Sequence, residues 1–275
     1  MNKSADTRLE VGGLYFDAIS QQQARERIAE VIRHQKRTAD SFVVVKPYVE
    51  FFVGAWKDPK VARILRNADL SLADGVAVQW AASYLAGKHG VWRLVRSLVY
   101  DVQRPDWRTK VIPERGAGVD ATHALLLEAG RKGWRIGVIG GPRDTLSTQR
   151  ALKKRYPGVD MRGVWTGYFT ASQEAKLVDE IKSARLDLLF VAMGFPLQEQ
   201  FIDRHKSDHL AKVLIGEGGT FDFDSMGGPL KRSPAWMRRL GLEWLWRLLQ
   251  QPQRWRRQSA IFHFIAGIYR AGSQK

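Results

Sequence analysis

At 275 residues the chain is long enough for one large α/β domain, or a domain with an appendage, and needs no covalent staple to build a core. With 44% apolar and 26% charged residues its composition is globular and excludes bulk disorder, while the absence of cysteine excludes disulfides, thiolate nucleophiles and cysteine-ligated metals. A net charge of +16 points to phosphate-bearing partners: nucleic acid, nucleotides or anionic lipid.

In chain order, a short β segment around Leu14–Phe16 precedes a helix in which Ala24, Ile28, Val31 and Ile32 share one face. Phe42 to Val45 is a β-branched run of the kind buried on both sides of a sheet. Val49 to Leu65 reads as helix, Leu70 to Leu72 as a strand tip ending in Asp74-Gly75, and Val76 to Leu85 as helix. Residues 87–112 mix Trp, Arg and Val without a period and read as a long loop or lid containing a helix. The pattern then becomes regular. Helices from Ala121 to Lys132, from after Gly140-Gly141-Pro142 to Tyr156, from Ser172 to Ala184 and from after Gly194-Phe-Pro196 through Arg204 alternate with strands at 135–139, 161–164, 186–192 and 212–215. Such alternation predicts a Rossmann-like α/β fold, a parallel sheet with helices on both faces. Residues 1–228 are expected to form this core and residues 229–275 a basic amphipathic helical appendage.

Ligands of such sheets sit outside the carboxyl ends of the strands. Four loops there carry unusual residues. Asp74, at a strand tip before a glycine, suits a general base if burial raises its pKa, or else a helix N-cap. Gly140-Gly141 would let backbone amides approach a diphosphate at a helix end, or would merely turn the chain. Gln198 and Glu199 stand on the first turn of a helix, where they reach a sugar or uracil edge or cap that helix. Gly216 to Gly219 forms the fourth loop. Beyond it, Asp222-Phe-Asp224 matches the short D-x-D metal pattern, but it follows a Gly-rich turn rather than a clear strand, so no metal is expected. No P-loop or G-x-G-x-x-G is present and no cofactor is expected. His205 and His209, one helical turn apart beside Lys206, read as a solvated face.

From Pro229 to Lys275 ten basic residues face one acidic residue, Glu243, so this segment carries +9 and holds four of the ten Trp. Basic helices edged with Trp lie in the headgroup plane of anionic membranes. RNA or DNA is the competing partner, and the long aliphatic stripe argues against it. The start, MNKSADTRLE, has no apolar signal core, and Ile261 to Tyr269 is far shorter than the roughly 20 residues of a spanning helix. A cytoplasmic protein, peripheral on the inner membrane face, is expected.

Five stretches in this order resemble the WecG/TagA/CpsF family of glycosyltransferases: Asn67 to Gly75, Pro113 to Asp120, Gly194 to Glu199, Gly218 to Asp222 and Lys231 to Arg247. The resemblance implies inverting transfer of a hexose-type sugar from a UDP-sugar to a sugar held through diphosphate on a polyprenyl lipid. Asp74 looks like the family's catalytic base, Arg115 like the arginine near the donor diphosphate, and Gln198 like the amide facing the sugar cleft. The tail looks like the C-terminal appendage that brings arginines over the site while docking on the membrane, with Arg232, Arg239 and Arg247 as its phosphate contacts. Guanidinium groups aimed at a leaving diphosphate stabilise its growing charge without a metal.

Two departures stand out. Where the family has T-x-N, this chain reads Val44-Val45-Lys46, so Lys46 faces a phosphate, an acidic sugar or solvent. Glu217 stands where an apolar residue is more usual. The missing T-x-N leaves an alternative open: a catalytically inactive membrane- or nucleic-acid-binding module on the same fold.

Overall fold

The computed structural model describes residues 8–116, 118–239, 243–252 and 255–274, setting aside the side chains of 238, 239, 243, 244 and 256–258. Six strands form one fully parallel sheet: β3 (Phe42–Val45), β4 (Leu70–Ser71), β5 (Arg135–Gly140), β6 (Asp160–Trp165), β7 (Leu186–Ala192) and β8 (Ala211–Gly216). Their order is β4-β3-β8-β7-β5-β6. Side chains alternate across a strand, so an apolar run is explained only if both faces are covered. Val43 and Val45 face one core layer and Phe42 and Val44 the other; Leu189 and Val191 of β7 likewise oppose Leu188 and Phe190. The expected Rossmann-like α/β fold is thus the observed one.

Before the sheet, β1 (Arg8–Val11) and β2 (Leu14–Asp17) form an antiparallel hairpin through Gly12 and Gly13. Both glycines have positive φ, 56° and 89°, as a two-residue hairpin turn demands. Only the second of these strands was legible from the sequence. Helix α1 (Gln21–His34) buries the anticipated stripe and begins in a capping box between Ser20 and Gln23.

The long helix expected from Val49 is two: α2 (Val49–Lys57) and α3 (Pro59–Arg66). Asp58 ends one and caps the other, its side chain accepting from the Lys60 amide at 2.8 Å, with Pro59 in the first helical turn. Next come α4 (Val76–Leu85), α5 (Val91–Val99), a single 3-10 turn at Asp101–Gln103, and α6 (Pro105–Arg108). The crossovers are α7 (Gly118–Lys132), α8 (Thr145–Arg155), α9 (Ala171–Ser183) and α10 (Leu197–His205).

The final segment holds α11 (Ala235–Arg239), α12 (Glu243–Gln250) and α13 (Trp255–Ser273). Phe264 and Ile268 of α13 are fully buried in the same core layer as Phe52 and Trp80. Phe264 meets Phe52 edge-on at 4.9 Å and stacks on Trp56 at 6.3 Å. The apolar stretch from Ile261 to Tyr269, expected to lie on a membrane, therefore gives its Phe264 face to the protein interior, and the hydrophobic core does not stop at residue 228. Among the described residues no helix is long and apolar enough to cross a membrane.

Candidate active site

Parallel strands bring their carboxyl ends to one edge, so sheet order fixes which loops meet. The β4 end lies beside the β3 end, with β8 and β7 following inward. At about 4.8 Å per strand, β5 and its Gly140 loop stand roughly 19 Å from β4. Asp74 thus follows the strand next to that of Lys46 and two strands from that of Glu217, while the Gly140 loop lies four strands away.

Asp74 continues the β4 ladder: the Leu72 amide donates to Val45 O at 2.9 Å and the Asp74 amide to Pro47 O at 3.0 Å. Gly75 is the N-cap of α4, with φ at 90°, a conformation that glycine adopts without strain. Asp74 therefore stands one residue before the N-cap position, half-buried at the strand tip. Against this tip lies the segment carrying Arg115. The Gly116 amide donates to Ala73 O at 2.8 Å, and a side chain on Gly116 would meet Leu72 Cβ at 3.1 Å. Gln21 holds the same segment from below, its Nε2 donating to Arg115 O at 2.8 Å and its backbone amide to Glu114 at 2.7 Å.

Arg108, in the stretch whose pattern was unreadable, joins this flank. Burial first, and then the charge of Arg115, hold its guanidinium below its ordinary pKa.

The centre of the edge is arranged differently. Continuing the β3–β8 register, in which Val44 pairs with Ile215, brings Lys46 opposite Glu217. The two side chains form a buried ion pair, Lys46 Nζ donating to Glu217 Oε1. The two sequence departures are therefore one structural feature, and Lys46 is turned neither to solvent nor to a phosphate. Glu217 Oε2 is buried without a hydrogen-bond partner among the described residues.

Gln198, expected to face a sugar, is buried and ties two loops together. Its Oε1 accepts from the amides of Gly194 (3.2 Å) and Gly218 (2.9 Å), and its Nε2 donates to Glu199 Oε1 at 2.7 Å. Glu199 has its carboxyl pushed up to about 8 by complete burial, the Gln198 hydrogen bond pulling weakly the other way. At neutral pH it is mainly a neutral acid. A side chain on Gly216 would come within 2.8 Å of Gln198 Nε2, so the close packing of these two loops requires glycine there.

Gly140 and Gly141 also have structural employment. The Gly141 amide donates to Ala192 O at 2.9 Å, and a Cβ on Gly140 would sit 2.3 Å from that oxygen. The following helix is already capped by Asp144, which accepts from the Ser147 amide at 2.9 Å. In the turn where a diphosphate cradle was expected, the Gly141 amide is thus engaged by β7 and a carboxylate stands at the start of the following helix.

From the tail, Arg232 makes a bidentate pair with Asp120 of α7 at 2.7 and 2.6 Å. Arg247 of α12 reaches the β8 loop, donating through Nη2 to Gly219 O at 2.7 Å and lying 4.4 Å above the Phe223 ring. The Arg239 side chain lies outside the described residues. Asp224 Oδ1 accepts from the Ser225 amide at 2.7 Å, the behaviour of a turn-forming aspartate. His205 is held between Glu174 and Asp208 at 2.9 and 2.6 Å, an ion-pair cluster rather than a solvated face.

A doubly covered parallel sheet with a carboxylate and guanidiniums at its carboxyl edge is an α/β fold of the kind that takes ligands outside the ends of its strands. The family model of the glycosyl transferase WecG/TagA/CpsF family matches residues 9–98 and 103–275, and the chain belongs to that family. It is also similar to the N-acetylglucosaminyldiphosphoundecaprenol N-acetyl-beta-D-mannosaminyltransferase of Bacillus spizizenii, with 30% identity over 227 residues, 82% of this chain and 77% of the relative.

Proposed function

We propose that this protein is an inverting glycosyltransferase that moves a hexose-type sugar from a UDP-sugar to a sugar linked through diphosphate to a polyprenyl lipid, in assembly of a cell-surface or exported polysaccharide. Family membership and the acceptor in the relative's name support the substrate class. The observation that carries the chemistry is Asp74, half-buried at a strand tip whose backbone is held to Pro47 and, through Ala73, to Gly116.

In this reading the Asp74 carboxylate takes the proton of the acceptor hydroxyl as its oxygen attacks C1. The bond from C1 to the donor phosphate breaks with its electron pair going to UDP, so the new bond forms on the opposite face and configuration inverts. Arg115, with Arg108 beside it, stabilises the charge that grows on the diphosphate, and no metal or other cofactor is invoked. Arg247 closes the β8 side of the cleft. Gln198 and Glu199 hold the loops in shape rather than touching the sugar.

In this reading the work is done at the cytoplasmic face of the membrane, where a lipid-linked acceptor and a nucleotide-sugar donor would meet. In the C-terminal segment Trp236, Leu249, Trp255 and Phe262 present exposed apolar surface beside its basic residues, which supports membrane docking through residues 229–275. The test is transfer from a panel of UDP-sugars to a lipid-diphosphate-linked sugar, with and without EDTA. Transfer from one UDP-sugar, unaffected by chelator, is expected; no transfer and no UDP binding would overturn the reading.

A further inference from the structure

Helix α5 turns apolar residues outward. Its inner side rests on the core through Leu94, Leu98 and buried Ser97, which accepts a hydrogen bond from Trp80 Nε1 at 3.0 Å. Yet Val91, Trp92, Val95 and Val99 fall on the other side, with Trp92 86% and Val99 67% exposed, and Tyr100 extends the same surface. Tryptophan is seldom left so bare on a protein that meets only water, and an apolar patch of this size marks an interaction surface.

The surroundings of the patch select its partner. Residues 88–110 contain Lys88, Arg93, Arg96, Arg104, Arg108 and Lys110 against Asp101 and Asp106. Buried Asp101 is shared by Arg93 at 2.7 Å and Arg96 at 3.7 Å, so one carboxylate answers two guanidiniums and the rim stays positive. A second copy of this chain, packed two-fold on the same patch, would set these arginines against their own equivalents. An anionic bilayer instead accepts the Val and Trp side chains among its acyl chains and the arginines among its headgroups. The start of α5 also adjoins the end of α13: a side chain on Gly272 would lie 2.7 Å from His89 Nδ1.

We propose that α5 is a lipid-docking helix, a surface separate from the C-terminal segment, whose Val91, Trp92, Val95 and Val99 enter an anionic membrane while Arg96 and its basic neighbours meet the headgroups. The inference rests on the proposed function, since a lipid-linked acceptor is met at a membrane. It goes beyond that reading by assigning the surface to residues 91–100, beside the 99–102 break in the family match.

The test is co-sedimentation of the full chain with vesicles of equal parts phosphatidylcholine and phosphatidylglycerol, compared with the variant Trp92→Ser/Val95→Ser/Val99→Ser and, separately, with Arg96→Glu. Trp92 and Val99 are largely exposed and Val95 nearly half exposed, so thermal melting of the triple variant should hardly change, and melting of Arg96→Glu, which sets a carboxylate near Asp101, is followed beside it to confirm folding. The triple variant is expected to partition about tenfold more weakly, and Arg96→Glu to lose part of the preference over pure phosphatidylcholine vesicles. Both variants should keep transfer to a short-chain, water-soluble acceptor, which reports on the active site independently of docking. Parent protein that docks without transferring sugar would sink the enzymatic reading and leave the docking helix standing. Undiminished partition of the triple variant, failure of the parent to bind these vesicles, or a variant that only shifts the oligomeric mass would overturn the proposal.

Discussion

At the middle of the sheet's carboxyl edge, the ends of β3, β8 and β7 engage their polar groups with one another. Lys46 is bonded to Glu217, and Gln198 joins Gly194, Gly218 and Glu199. At the β4 flank Asp74 and Arg115 are half-buried, and backbone hydrogen bonds tie down the segments that carry them. The difference teaches that polar residues at strand ends do two jobs. Those at the centre fix the loops; those at the flank, in the proposed function, meet the ligand.

The largest effect expected at the centre comes from Lys46→Met, which strands the Glu217 charge in the interior. It should cost about 3–5 kcal/mol in chemical denaturation, while Lys46→Met/Glu217→Leu should recover most of that loss. A single variant as stable as the parent would mean that the centre is not held by this pair.

Glu199 sharpens the same point through pH. In the unfolded chain its carboxyl titrates near 4.5, and in the folded protein at about 8. Between these values the folded state holds a proton that the unfolded state has lost. This group's contribution is therefore fully present below about 4.5 and falls as pH rises to about 8, with a slope of up to ~1.4 kcal/mol per pH unit. Glu199→Gln should flatten that part of the stability profile, as followed by denaturation from pH 5 to pH 9 in steps of about one unit.

On the flank, Arg115→Ala should leave the fold intact and lower the rate of sugar transfer by about ten- to a hundredfold, the loss of one charge-assisted contact to the leaving diphosphate. An unchanged rate would move the phosphate contact elsewhere. The smallest effect is assigned to Arg232→Ala: its partner Asp120 is exposed, so melting should report about 1 kcal/mol or less.

Much of the fold was legible because burial on both faces writes itself as unbroken apolar runs, as in Leu186 to Ala192. Helix α5 was legible only as an unplaced helix within residues 87–112, because its apolar residues are divided between a core side, Leu94 and Leu98, and an outer side, Val91, Trp92, Val95 and Val99, and so do not read as one buried stripe. Within the site, Asp74 stood out because a carboxylate followed by glycine at a strand tip is a local pattern. The Lys46–Glu217 pair spans 171 residues and depends on the register of two strands, which no local spacing reveals. The same holds for Gly141, whose amide is claimed by a strand 51 residues later, and for Arg108, whose significance lies in its nearness to Arg115.

The account turns on Asp74 as the proton acceptor at the β4 flank. The most direct measurement takes one preparation of Asp74→Asn, titrates it with UDP by calorimetry, and assays sugar transfer to a lipid-diphosphate-linked acceptor beside the parent. UDP binding retained with turnover reduced about 10²- to 10⁴-fold is the expected result; turnover equal to the parent's would contradict it.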